Sequence, residues 1–218
     1  MENGDRMKKK TPVLIGLCGR SGSGKGTVAS FFEKYGVPSV DTDAVWREMT
    51  GPSRESGKTA ECVTALAEVF GADAEAADGS LNRDFIRSLV FAGDGAEKRV
   101  LLNRTSHPFI IKETLKRAEE LGVRGARAVI VDAPLLFESG LDGMCDLIIA
   151  ADAPDDVLIE RIVARDGVSP ERAAERLAAQ KRPEELPVDL LIDTDRSLSS
   201  IEKDVEVIAE IIKDKYKG

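Results

Sequence analysis

The segment of residues 19–27 carries the residue types and spacing with the clearest chemical meaning in this chain. It reads Gly-Arg-Ser-Gly-Ser-Gly-Lys-Gly-Thr and lies between an apolar run at 13–18 and a helical pattern at 28–35. Glycines let backbone N–H groups turn inward around phosphate oxygens, and the positive end of the following helix adds to the attraction. Lys25 supplies a mobile positive charge. The order of strand, loop and helix predicts a phosphate-binding loop rather than an ordinary Gly/Ser turn.

Acidic residues follow the next two predicted strands. Asp41 and Asp43 end the second apolar run, with Arg47 at helical spacing behind them, and Asp132 ends the third run. Carboxylates at the carboxyl edge of a parallel sheet, beside a phosphate loop, can hold Mg²⁺ or accept a proton from an attacking hydroxyl. Asp41 could equally cap the following helix, and the sequence leaves both interpretations of Asp41 open.

Three further groups are candidates with a structural alternative. Arg161 and Arg165 share one helical face and could close over a transferring phosphoryl group, although a solvated charged helix has the same pattern. His107 is the single histidine, for which a structural role is the ordinary expectation. The third group is the turn Pro134, Leu135 and Leu136, which could either belong to the core or line a substrate.

One position of the loop departs from the usual pattern Gly-x-x-x-x-Gly-Lys-Ser/Thr. Residue 26 is glycine, so the hydroxyl that normally reaches Mg²⁺ is absent there, and Thr27 follows it. The same Gly-Lys-Gly-Thr order is familiar from adenylate-kinase-like nucleotide kinases. We therefore expect Thr27 and Asp132 to serve Mg²⁺, with water completing its coordination shell.

Five apolar runs predict the strands that position these groups, because a continuous apolar run is typical of a strand covered by helices on both faces. They are residues 13–18, 37–40, 128–131, 147–150 and 190–192. Helical patterns separate or follow them at residues 59–70, 82–91, 96–121, 154–180 and 198–216, the last with Ser197 as its N-cap. This alternation predicts an α/β fold with a parallel sheet.

Composition excludes several classes of protein. The chain has 218 residues, of which 42% are hydrophobic, and this is enough for one domain with a real core. A net charge of −8 argues against nucleic-acid binding. The three cysteines lack paired spacing, which predicts reduced thiols in a cytoplasmic protein. We expect residues 1–11 to form a flexible tail without a membrane segment, and the oligomeric state is left open.

Taken in order, these elements resemble the dephospho-CoA kinase family over nearly the whole chain. The resemblance includes residues 22–25, 40–43, 47, 70–71, 78–83, 107–108, 132–138, 161, 165–166, 178–180 and 192–193. It implies an ATP-dependent kinase that phosphorylates the ribose 3′-hydroxyl of dephospho-CoA in the last step of CoA synthesis. It also implies a P-loop NTPase-type fold of three α/β/α layers, as a single domain at 12–218. Within that domain we expect a helical substrate-binding insertion at 47–125 and a helical lid at 160–185.

The resemblance also implies a role for each matching residue. Lys25 would stabilise the transferred group, Asp43 would accept the hydroxyl proton, and Arg165 would close over the phosphates from the lid. The phosphates of ATP would be held by Gly22, Ser23, Gly24, Lys25, Gly26, Thr27 and Arg161. The acceptor site would be lined by Asp41, Arg47, His107, Pro134, Leu135 and Leu136.

Two departures from the family pattern keep alternatives open. The family reads Gly-Gly-Ile where this chain has Gly19-Arg20-Ser21, and serine where it has Gly26. A nucleoside monophosphate kinase is favoured by the Gly-Lys-Gly-Thr order. A nucleotide-binding module that has lost catalysis is favoured by the altered loop.

Overall fold

The computed structural model describes residues 11–52, 60–93 and 95–215 of the chain. Of the predicted tail at 1–11, only the last residue lies within these ranges. Positions 59 and 216, where two helices were expected to begin and end, also lie outside the described residues.

Five strands and nine α-helices form the regular structure of the described part of the chain. The strands are β1 (Val13–Gly19), β2 (Ser39–Asp41), β3 (Ala128–Asp132), β4 (Leu147–Asp152) and β5 (Leu190–Asp193). The helices are α1 (Lys25–Lys34), α2 (Thr42–Met49), α3 (Glu61–Phe70), α4 (Arg83–Val90), α5 (Gly95–Val123), α6 (Leu136–Ser139), α7 (Asp155–Asp166), α8 (Pro170–Ala178) and α9 (Leu198–Lys215). Every predicted strand is confirmed. None of the described helices is both long enough and apolar enough to cross a membrane.

The strands form one sheet in the order β2-β3-β1-β4-β5. Strand β1 pairs in parallel with β3 and β4, and β4 pairs in parallel with β5. Parallel strands end at the same edge of a sheet, so Gly19, Asp132, Asp152 and Asp193 all lie at one edge. The prediction of an α/β fold with a parallel sheet flanked by helices is confirmed, and its site-forming edge is the one where these strands end.

One compact unit consists of Met1–Val40 and Lys116–Gly218. In its described part, helices α1 and α9 pack against the sheet through side chains such as Phe32 and Val205, both fully buried. Each helix covers strands that are apolar along most of their length, which is the arrangement expected from their continuous hydrophobic runs. The predicted N-cap is confirmed, because the Ser197 hydroxyl accepts a hydrogen bond from the Ser200 N–H.

The second compact unit, Asp41–Leu115, is helical. Residues of α3 and α4, among them Leu66 and Ile86, form its buried core, and Trp46 of α2 packs against them. Apolar residues at helical spacing on each element make this separate core, as the sequence pattern predicts. Helix α5 continues through Pro108, a residue that breaks one backbone hydrogen bond in a helix interior.

Candidate active site

The glycine-rich segment connects β1 to α1. Gly22 and Gly24 have φ angles of 80° and 75°, in the left-handed region that favours glycine. A Cβ atom on Gly22 would lie 2.7 Å from the carbonyl oxygen of Leu158, so α7 packs directly against the loop. Helix α1 begins at Lys25, and Gly24 has no side chain with which to cap it. Such an N-terminus attracts anions, so the segment can cradle phosphate oxygens.

Lys25 forms an ion pair with Asp132, which ends β3. The two side chains are only 16% and 12% exposed, so solvent weakens their attraction less than at the surface. Burial raises the pKa of the neighbouring Cys18 thiol to about 11, while the positive charge of Lys25 lowers it. A lysine held in this way is oriented at the loop before any anion arrives.

The residues beside the loop fit a magnesium ion held largely by water and phosphate oxygens. Asp132 supplies a carboxylate, and Thr27, exposed in the first turn of α1, supplies a hydroxyl. Open space surrounds Gly26 at the position that a Cβ atom would take. Within the described ranges, no three His, Cys, Asp or Glu side chains come together as a metal cluster. Mg²⁺ usually keeps several waters and binds one or two carboxylates plus substrate phosphates, so this donor set suits it.

Arg161 and Arg165 have different surroundings although they lie on the same face of α7. The Arg161 guanidinium donates to the Gly22 carbonyl oxygen at 3.3 Å and to the Thr194 carbonyl oxygen at 2.8 Å. Arg165 is exposed and pairs with Asp166, whose carboxylate raises the pKa of the guanidinium. Arg161 is therefore part of the loop's support, while Arg165 is held only at the surface.

Arg20 is a loop residue for which the sequence analysis predicted no contacts. Its guanidinium binds both carboxylate oxygens of Asp152, with Nη2–Oδ2 at 2.8 Å, and donates to Asp155 at 2.8 Å. Burial disfavours its charge, but the hydrogen bonds to Asp152 and Asp155 outweigh burial and raise the pKa of Arg20. An arginine in the loop and an acid at the carboxyl end of β4 place the two residues at one edge of the sheet, but this signal does not show that they pair.

Gln180 also contacts the loop. Its side-chain Oε1 accepts a hydrogen bond of 2.9 Å from the backbone N–H of Ser21. The Arg182 guanidinium, two residues further on, pairs with the carboxylate of Asp155. The chain just after α8 is thus joined to the loop, directly through Ser21 and indirectly through Asp155.

In the unit Asp41–Leu115, the two predicted carboxylates have separate surroundings. The Asp41 side chain accepts hydrogen bonds from the N–H groups of Asp43 and Ala44 at 2.8 and 3.1 Å, so Asp41 caps α2. Arg47 lies 3.6 Å from the Asp41 carboxylate, and both are exposed. Asp43 is exposed in the first turn of α2. The capping interpretation of Asp41 is confirmed, whereas the role of Asp43 as a base stays a prediction.

The other predicted acceptor-site residues differ in exposure. His107 is half-buried in α5 of the unit Asp41–Leu115. In the other unit, Pro134 and Leu135 are exposed, whereas Leu136 is fully buried. A Cβ atom on Gly16 would lie 2.8 Å from Leu136 Cδ2. Leu136 therefore packs in the core beside β1, and the exposed part of this turn is Pro134 and Leu135.

A glycine-rich loop and a lysine after the central strand of a parallel sheet define a P-loop nucleotide-binding fold. The structure is similar to that of TT1252 from Thermus thermophilus, with a TM-score of 0.70 and 30% identity over 93% of this chain and 99% of that one. It also shares its fold with dephospho-CoA kinase from Campylobacter jejuni, with a TM-score of 0.60 and 20% identity over 95% of this chain and 100% of that one.

The family model of dephospho-CoA kinase matches residues 13–199. A dephospho-CoA kinase from Corynebacterium efficiens is 34% identical over 92% of this chain and 98% of its own length. One from Bacillus cereus is 35% identical over 90% of this chain and 95% of its own length. The chain belongs to the dephospho-CoA kinase family.

Proposed function

We propose that this protein transfers the γ-phosphoryl group of ATP to the 3′-hydroxyl of dephospho-CoA, giving CoA and ADP. Family membership supports this reaction, and the structural observation that carries it is the buried Lys25–Asp132 pair beside the loop. Phosphoryl transfer needs positioning and charge neutralisation more than covalent chemistry. A lysine already oriented by a carboxylate meets both needs.

On the ATP side, the loop residues Gly22, Ser23, Gly24, Lys25, Gly26 and Thr27 hold the phosphates in this proposal. Lys25 stabilises the transferred group, and Arg161 supports the loop from α7. Arg165 moves from its surface pair with Asp166 to the phosphates, which an exposed ion pair of small net energy allows. Mg²⁺, served by Thr27 and Asp132, neutralises phosphate charge when bound.

On the acceptor side, Asp43 accepts the proton of the 3′-hydroxyl. The oxygen then bonds to the γ-phosphorus while the bond from phosphorus to the β–γ bridging oxygen breaks, and ADP leaves. The exposure of Asp43 supports this role, because the carboxylate of Asp41 already caps the helix. Asp41, Arg47, His107, Pro134, Leu135 and Leu136 remain proposed acceptor-site residues, Leu136 as the buried support of the turn.

We also propose that residues 12–218 form a single kinase domain in which 47–125 bind the acceptor and 160–185 act as a lid. The helical unit Asp41–Leu115 supports the first assignment. The second is supported by α7 and α8, which share a small core of their own around Ile162 and Leu177. Three free thiols, two of them buried, support a cytoplasmic location.

The test is a direct assay of phosphoryl transfer with the full chain, ATP and Mg²⁺. Dephospho-CoA, AMP and CMP are offered side by side, and the product is located by its 3′-phosphate. We expect transfer to dephospho-CoA alone. Transfer to AMP or CMP instead would identify a nucleoside monophosphate kinase, and ATP binding without transfer to any acceptor would identify a module without catalysis.

A further inference from the structure

The phosphate loop is joined to the chain after α8 by two polar connections. The first is the hydrogen bond from the Ser21 N–H to Gln180. The second is a chain of ion pairs in which Asp155 lies between Arg20 and Arg182. Gln180 and Arg182, which we name the strap, form the distal ends of the two connections.

The two ends of the ion-pair chain differ in burial. The side chain of Arg20 is 6% exposed and its guanidinium also binds Asp152, so this end is fixed. The side chain of Arg182 is 59% exposed. An exposed pair contributes little by itself, but one anchored on a buried, hydrogen-bonded arginine loses less side-chain entropy when it forms. The chain of charges can therefore hold the strap against a rigid support.

The connected atoms lie beside the part of the loop that receives phosphate. Ser21 directly precedes Gly22, whose left-handed backbone and close approach to Leu158 shape the loop. The strap fixes the backbone on the amino-terminal side of this turn, while Arg161 binds the carbonyl oxygen of Gly22 itself. A loop fixed on both sides has less conformational entropy to lose when ATP binds.

We propose that Gln180 and Arg182 are positioning residues for ATP, which act through Ser21 and through the Asp155–Arg20 pair to keep the empty loop in its phosphate-binding shape. This rests on the proposed ATP site. Neither residue is proposed to contact the reacting atoms. Once ATP is bound, its phosphates hold the loop themselves, so the strap affects ATP affinity and leaves the chemical step unchanged.

The test measures ATP–Mg²⁺ binding by calorimetry and steady-state kinetics for the double variant Gln180→Ala/Arg182→Gln of the full chain. Both residues are exposed, so the variant keeps the folded core. We expect the Kd and the KM for ATP to rise about fivefold or more. The kcat at saturating ATP and the KM for dephospho-CoA should stay within twofold of the wild type.

Two matched variants separate positioning from bulk charge. Lys181→Gln makes the same charge change at an exposed neighbour and should leave the Kd for ATP within twofold of the wild type. Arg182→Lys keeps a cation for Asp155, so it should lose much less affinity for ATP than the single variant Arg182→Gln measured beside it.

A double variant whose Kd and KM for ATP stay within twofold of the wild type overturns the proposal, even if its melting temperature falls. So does an equal effect in Lys181→Gln. If the wild type binds ATP but transfers no phosphate, the proposed function fails, and the Kd measurements still decide on the strap. If the wild type does not bind ATP, both proposals fail.

Discussion

The charged candidates are held differently in the two compact units. In the unit that contains the sheet, Lys25 and Asp132 form a largely buried pair. In the unit Asp41–Leu115, Asp43 and Arg47 are exposed, and their backbone rather than a buried partner fixes their position. Groups that are oriented before the ligand arrives reduce the entropy lost on binding. In the proposed reaction, the side chains that would hold ATP are therefore oriented in advance, whereas the exposed side chains proposed for the acceptor would be ordered by the substrate.

The largest combined effect on activity and stability is expected from removing the largely buried cation Lys25. Lys25→Met should lower kcat/KM by about 10²–10³-fold, because a positioned donor to developing negative charge is lost. It should also lower the free energy of unfolding by about 3 kcal/mol, since Asp132 stays in a largely buried place without its lysine. The phosphorylation assay and urea unfolding measure the two effects.

Arg47→Gln removes an exposed cation in the unit Asp41–Leu115 and is the counterpart of Lys25→Met. Its ion pair with Asp41 is long and solvated, so the free energy of unfolding should change by less than about 1 kcal/mol. The KM for dephospho-CoA should rise about tenfold while the KM for ATP stays constant. If this variant lost as much stability as Lys25→Met, the distinction between the two units would be wrong.

A second prediction distinguishes the roles of the neighbouring carboxylates Asp41 and Asp43 in the unit Asp41–Leu115. Asp43→Asn should lower kcat by about 10²–10⁴-fold with little change in the KM for ATP, because the general base is removed. Asp41→Ala removes the cap of α2 and should lower the free energy of unfolding by about 1 kcal/mol, with a smaller loss of kcat. Normal turnover by Asp43→Asn, measured in the same assay, would exclude Asp43 as the base.

A third prediction concerns the two arginines of α7, of which Arg161 is half-buried and Arg165 is exposed. Arg161→Gln should lower the free energy of unfolding by about 1.5–3 kcal/mol, since charged hydrogen bonds to Gly22 and Thr194 are lost. Arg165→Gln should leave stability nearly unchanged and lower kcat more than it raises the KM for ATP. Thermal unfolding and initial rates measure both, and equal stability losses would contradict the assignment of Arg165 to the surface.

A last effect, which involves none of the proposed site residues directly, is a loss of stability in alkaline solution. Burial raises the pKa of Cys62 from 9.0 to about 11, and it raises that of Cys18 to about 11 despite the charge of Lys25. Between these values the unfolded chain releases thiol protons that the folded chain keeps. The contribution of the protonated thiols to the free energy of unfolding is therefore fully present below pH 9 and is lost as the pH rises toward 11. Urea unfolding at pH 7.5 and 10.5 should show a smaller decrease for Cys62→Ala than for the wild type.

Local features were predictable because their causes lie close together in the chain. The strands follow from continuous apolar runs, and the loop follows from glycines that directly precede a helix. The role of Asp41 was harder to predict, because an aspartate suits both a helix cap and a site beside the phosphate loop. Only the hydrogen bonds from the Asp43 and Ala44 N–H groups assigned the cap to Asp41.

Contacts over long sequence distances were not predictable. Arg20 and Asp152 are 132 residues apart, and no local pattern in either segment requires the other. The different surroundings of Arg161 and Arg165 were unpredictable for the same reason. Their helical spacing is identical to that of any pair on one face, and it is the position of Thr194 beside α7 that gives Arg161 a partner outside its own helix.

The sequence by itself determined the parallel α/β fold, the phosphate loop and the acids at the strand ends, because hydrophobic periodicity and backbone freedom act over a few residues. The tertiary structure alone decided which charges are buried together, which arginine supports the loop and how the strap reaches Ser21. Burial and pairing depend on which distant segments fold side by side, and the energy of a charge depends on both.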